Sequence, residues 1–119
     1  MTSESDLPTI EGPVLIAGGA GYIGSVTTRL LQSLAIPVVV VDSLVTGHRE
    51  AVDGPIHEVD LGDAEALDSV FKKHAPRSVI HFAARCYVAE SVEDPGLYYR
   101  QNVANTLSLL EVMGANGCE

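Results

Sequence analysis

The chain has 119 residues, 46% of them hydrophobic and 19% charged, and seven Lys plus Arg against 16 Asp plus Glu give a formal charge of −9. That length fits a single domain that buries a core without disulfides or metals to staple it. The acidic balance, with no basic patch, argues against nucleic acid or an anionic membrane as partner, and leaves an anionic ligand only local backbone dipoles to bind through.

In chain order, residues 1–12 are polar and acidic, unlike a targeting peptide, and read as a flexible tail ahead of a domain over 13–119. PVLIAG (13–18) is a short apolar run ending in glycine, which predicts a buried strand. Ile23, Val26, Leu30, Leu31 and Leu34 then recur at helical spacing, so a helix is expected from Tyr22 until Pro37 breaks the pattern. VVVVD (38–42) is apolar up to its last residue, as strands covered on both faces of a parallel sheet are.

PIHEVD (55–60) predicts a third strand. GDAEALDSVFKKH (62–74) predicts a helix capped by Asp63, with Leu67, Val70 and Phe71 on one face and Lys72, Lys73 and His74 in the last turn. RSVIHFAA (77–84) predicts a fourth strand. From Asp94-Pro95 a long helix is expected, with Val103, Leu107, Leu110 and Met113 as its stripe and Val103 in the core. Strands alternating with helices predict an α/β fold: a doubly wound parallel sheet with right-handed crossovers. Cys86 and Cys118 lack metal or redox spacing, and no apolar run nears the ~20 residues of a membrane span. A reduced, cytoplasmic setting is expected.

The chemistry concentrates in LIAGGAGYIGS (15–25), where Gly18, Gly21 and Gly24 stand three apart between a strand and a helix. Glycine at the first position permits a tight turn, at the second lets backbone N–H groups close on a pyrophosphate, and at the third brings the helix against the strand. The helix N-terminus adds orphan donors and a partial positive charge of about half a unit. Asp42 ends the second strand 18 positions past Gly24, where a carboxylate accepts from both hydroxyls of an adenosine ribose and repels a 2′-phosphate, which favours NAD over NADP. The rival reading is a tight turn and a strand end with no ligand.

The motifs GGAGYIGS, VVVVDSLVTGH, VDLGD, VIHFAA, VAESVEDPGLYYRQNV and NTLSLLEVM run through most of residues 13–113. In them the chain resembles the extended short-chain dehydrogenase/reductase family, the NAD-dependent epimerases and dehydratases. HFAA, then V-x-E-S-V and P-x-x-Y-Y-x-x-N, resemble its epimerase branch. The resemblance implies a Rossmann-type sheet, here incomplete at about four strands ordered 3-2-1-4, and NAD as cofactor. It implies pyrophosphate contacts from the backbone of Gly18, Gly21, Tyr22 and Ile23, with Gly24 packing the helix. Asp42 would hold the ribose, with Ser43, Thr46 and Gly47 nearby. Asp60 and Leu61 would border adenine. Phe82, Ala83 and Ala84 would wall the cofactor, and Asn102 would face it.

Several of these positions have other readings: Asp60 is as well suited to capping a loop, and Phe82 to the core. His81, inside an apolar strand, reads as a satisfied core histidine rather than a catalyst, and Glu90 and Ser91 as loop caps or substrate neighbours. The chain departs from many epimerases at Asn105 and Ala89, where glycine is common, and the Asn105 change is expected to be a mild packing adjustment.

The activity implied is interconversion of UDP-glucose and UDP-galactose by transient oxidation at C4. It needs a tyrosine and lysine at Y-x-x-x-K. Here the tyrosines at 22, 87, 98 and 99 are followed four positions on by Val26, Ser91, Asn102 and Val103. The chain is therefore expected to be inactive alone, with a UDP-sugar bound only where a longer chain or a partner completes the site. Two alternatives stay open: another NAD-dependent sugar-nucleotide dehydratase or decarboxylase fragment, and a non-catalytic dinucleotide-binding module. A homodimer through the helix from Pro95 to Met113 is also implied.

Overall fold

The computed structural model describes residues 12–44, 49–52, 54, 56–82, 93, 95–96 and 100–118. Of the expected tail only Gly12 falls among them, and Thr46, Gly47, Ala83, Ala84, Cys86, Ala89, Glu90, Ser91 and Asp94 lie outside.

Four parallel strands form one sheet: β1 (Val14–Ala17), β2 (Val38–Asp42), β3 (Ile56–Glu58) and β4 (Ser78–His81), in the order β3-β2-β1-β4. β1 is central, with Leu15 level with Val39 on one side and Val79 on the other. All four of its residues are buried, because neighbours pair both edges and helices cover both faces.

The two faces divide by side-chain alternation. Leu15, Ala17, Val39 and Val41 share a core with Leu61, Leu67, Val70 and Phe71, and with Leu109, Val112 and Cys118. Val14, Ile16 and Val40 pack with Leu31 on the opposite face, backed by Ile36, Ile56, Ile80 and Phe82. The helix α2 (Ala64–His74) and the helix α3 (Asn105–Ala115) belong to the first face and α1 (Tyr22–Ser33) to the second. Asn116 Nδ2 donates to Asp68 Oδ1 at 2.7 Å, tying the end of α3 to α2. Lys72 pairs with the same carboxylate at 2.7 Å, and the two partners hold Asp68 below the usual carboxylate range.

The second helix forms as its sequence predicts. Asp63 caps it, accepting from Ala66 N–H at 3.1 Å, and Leu67, Val70 and Phe71 are buried. It closes at Ala75 in the left-handed region (φ 48), followed by Pro76.

The other two helices correct the sequence reading. In α1 the residues against the sheet are Gly24, Ser25, Thr28 and Leu31, whereas Ile23, Val26, Leu30 and Leu34 are exposed. Small residues let the helix lie close to β1. Their hydroxyls are satisfied locally, Ser25 Oγ donating to Tyr22 O at 2.9 Å and Thr28 Oγ1 to Gly24 O at 2.8 Å. In α3 the buried residues are Asn105, Leu109 and Val112. Val103, Leu107 and Leu110 are exposed, so Val103 is not a core residue. The helix is also not uniform, since Arg100–Ala104 is wound as a π-helix before α3 begins.

Candidate dinucleotide-binding site

At the C-terminal ends of β1 and β2 the chain builds a tight turn, Gly18–Gly21, running straight into α1. Gly18 has φ 86, a left-handed conformation that glycine adopts without strain. Its carbonyl accepts from Gly21 N–H at 3.2 Å, closing the turn. A Cβ on Gly24 would sit 2.2 Å from the Gly18 carbonyl oxygen, and one on Gly19 2.5 Å from Val40 Cγ1. These two glycines are therefore required by packing alone.

Gly21 is different. Its backbone (φ −77, ψ 177) is open to any residue, and an added Cβ would meet only the Gly18 oxygen at an ordinary 3.5 Å. Among the described residues nothing demands glycine there. Gly21 is the N-cap of α1 and offers no side-chain cap. The first helical bond is Ser25 N–H to Gly21 O at 2.9 Å, so the N–H groups of Tyr22, Ile23 and Gly24 precede the bonded ladder. Tyr22 and Ile23 are exposed beside them. The result is a bare, donor-lined helix end with positive dipole character.

Asp42, only 8% exposed, comes up against this turn from the end of β2. Its Oδ2 accepts from Ala20 N–H at 3.0 Å and its Oδ1 from Leu44 N–H at 2.7 Å. Each oxygen keeps a lone pair for a further donor. Ser43 is exposed next to it. Asp42 thus belongs to the turn's own architecture, a role 22 residues of separation hides from the sequence. Gly19 was also not singled out in the sequence, although the doubled glycine at 18–19 carries the signal.

The remaining candidates are distributed around this centre. Asp60 is exposed in the turn after β3, its Oδ1 accepting from Gly62 N–H at 2.7 Å, so the loop-capping reading of Asp60 is realised. Leu61 is 5% exposed with its side chain in the core, which leaves only its backbone for a ligand. Phe82 follows β4, donates its N–H to Ala17 O at 2.6 Å and packs, partly buried, against the cluster of Val14, Ile16, Leu31 and Val40. Asn102 is exposed in the π-helical turn, its carbonyl accepting from Thr106 Oγ1 at 3.2 Å. Thr106 Oγ1 also lies 3.0 Å from His81 Nε2, and burial lowers the His81 pKa. His81 is the satisfied, half-buried histidine its apolar strand implies. Among the described residues no group of three or more His, Cys, Asp or Glu could hold a metal, and no helix is long and apolar enough to cross a membrane.

A parallel sheet with a glycine turn at a helix N-terminus and an acid closing the next strand defines a Rossmann-type dinucleotide fold. Comparison with known proteins narrows this class. The NAD dependent epimerase/dehydratase family matches residues 14–119, and the chain belongs to that family. A UDP-glucose 4-epimerase of Rhizobium leguminosarum bv. trifolii is 48% identical over 105 residues, which is 87% of this chain and 32% of the relative. The crystal structure of UDP-glucose 4-epimerase from Brucella ovis in complex with NAD superposes with TM-score 0.86 at 48% identity, over 89% of this chain and 33% of that one. The Thermus thermophilus UDP-glucose 4-epimerase complex with NAD gives TM-score 0.86 at 42% identity, over 89% and 35%. The chain spans about a third of the length of these relatives.

Proposed function

We propose that these 119 residues bind NAD as the N-terminal part of a UDP-glucose 4-epimerase-like enzyme, one that interconverts UDP-glucose and UDP-galactose in the cytoplasm. The observation that carries this reading is Gly21, a glycine that the protein's own packing does not need, set at a helix end whose N–H groups lie ahead of the bonded ladder. A missing side chain there serves whatever approaches from outside, and a pyrophosphate is the ligand such a cradle suits.

The residues present fit the dinucleotide. The backbone of Gly18, Gly21, Tyr22 and Ile23 binds the pyrophosphate. Asp42, fixed by Ala20 and Leu44, accepts from the adenosine ribose, with exposed Ser43 next to it in sequence, and the family resemblance assigns Thr46 and Gly47 to the same part of the cofactor. Asp60 and the Leu61 backbone border adenine. Phe82 walls the cofactor and Asn102 faces it, and the family resemblance assigns Ala83 and Ala84 to the same wall. When bound, NAD supplies a reversible hydride acceptor for the sugar C4 position. The protein's share in these residues is to bind and orient it. No tyrosine here has a lysine four positions on, so this chain binds without turnover, and a UDP-sugar joins only where further residues complete the site. Val103, Leu107 and Leu110, exposed on one side, support a homodimer through this helix.

Calorimetric titration of NAD into the chain, beside Gly21→Val, is the test. Saturable binding that Gly21→Val weakens by at least about tenfold, with its circular dichroism unchanged, is expected. Binding unaffected by the valine, or no binding to the folded wild type, overturns the reading.

A further inference from the structure

One buried polar side chain outside the glycine turn reaches toward the site. Asn105, the first residue of α3, is only 8% exposed, and its Nδ2 lies 3.5 Å from Asp60 Oδ1. The same oxygen accepts from Gly62 N–H at 2.7 Å. A Cβ on Gly62 would stand 3.1 Å from Asn105 Oδ1 and 3.2 Å from Asp60 Oδ1, so the absence of a side chain at 62 makes room for the two polar groups to meet. Leu61, buried between them in sequence, anchors the turn in the core. Asp60 itself is exposed, and among the described residues the two donors to its side chain, Gly62 N–H and Asn105 Nδ2, both fall on Oδ1.

We propose that Asn105 is a positioning residue for adenine recognition: by holding Asp60 Oδ1 it presents Oδ2 to the exocyclic amine of the base. The inference rests on the NAD reading above. A carboxylate with both oxygens equivalent rotates freely, whereas one held at a single oxygen offers the other in a fixed direction, and that preorganisation is what discriminates. A carboxylate accepts from an amine and is repelled by a carbonyl oxygen, so the natural probe is NAD against nicotinamide hypoxanthine dinucleotide, in which the amine is replaced by oxygen.

Both dinucleotides are titrated calorimetrically into the wild-type chain, Asn105→Ala, Asn105→Leu, Asp60→Ala and the double variant Asn105→Leu with Asp60→Ala. Asn105→Leu keeps the buried volume without the donor, and stands in should the alanine variant not fold. The wild type is expected to prefer NAD by about tenfold or more, the scale of one hydrogen bond to a charged group. The Asn105 variants should reduce that preference to about threefold by weakening NAD alone, and Asp60→Ala should abolish it, with no further loss in the double variant. Equal weakening of both dinucleotides, or an unchanged preference, overturns the inference and leaves Asn105 as a packing residue. A wild type that binds both equally overturns it while leaving NAD binding intact. A wild type that binds neither overturns both readings.

Discussion

Gly21 and Gly24 stand three residues apart and answer to different demands. Gly24→Ala drives a Cβ to within 2.2 Å of the Gly18 carbonyl, a backbone atom that moves only if α1 lifts from the turn. We predict a loss of about 1–3 kcal/mol or more in urea unfolding. Gly21→Ala meets nothing closer than 3.5 Å, and its stability should stay within about 1 kcal/mol of wild type while NAD affinity falls. Equal destabilisation by the two would remove the argument for a ligand at Gly21. Asp42→Ala should cost about 1–3 kcal/mol even without ligand, since it leaves the N–H groups of Ala20 and Leu44 without their acceptor. Thermal unfolding without NAD checks this, and an unchanged midpoint would confine Asp42 to ligand contact. The spacing of glycines and acid was legible in the sequence because conformation at Gly18, close packing at Gly24 and the approach of a ligand at Gly21 each select glycine at a fixed offset. The bond from Asp42 to Ala20 was not, since it joins two loops only once β1 and β2 are paired.

The three helices show where periodicity informs and where it misleads. In α2 the cap, apolar face and basic last turn all point one way, and the buried face is the expected one. In α1 the stripe residues Ile23, Val26, Leu30 and Leu34 face outward, and only Leu31 of that stripe joins Gly24, Ser25 and Thr28 on the buried face. A hydrophobic count gives no weight to small hydroxyl residues whose polar groups are bonded within the helix. Leu30→Gln should therefore shift stability by no more than about 0.5 kcal/mol, whereas Leu31→Ala, 6% exposed, should cost about 2–5 kcal/mol. Denaturant titrations of the pair decide the matter, and a costly Leu30 change would mean that α1 packs by its other face. The same reversal at α3 and the π-helical turn before it puts polar Asn105 inside and Val103, Leu107 and Leu110 outside.

Two properties belong to the molecule as a whole. His74, at the end of α2, has its pKa lowered by burial first and then by the charges of His57 and Lys73, and lies with its Nε2 2.9 Å from that of His57. His81 is lowered by burial. A histidine whose folded pKa is below its unfolded value takes up its proton more readily when unfolded, so its contribution is present above about pH 6.5 and is lost as pH falls through the folded value. The urea midpoint should fall between about pH 7.5 and 5.5, and His74→Gln should flatten that fall; a pH-independent midpoint would contradict it. β4 also stands at the edge of the sheet, and exposed apolar residues line α1 and α3. Self-association that grows with concentration is expected in sedimentation, and a monodisperse monomer with a sharp, concentration-independent transition would refute it. By itself the sequence determined the element types, their alternation, the strand order through its family resemblance and the glycine–acid signature, because these follow from local conformational demand and spacing along the chain. Only the tertiary structure decided which helix faces are buried, that Asp42 braces the glycine turn, and that Asn105 meets Asp60 across 45 residues. Those contacts depend on how closely the helices approach the sheet, a distance fixed by the shapes of residues far apart in the chain.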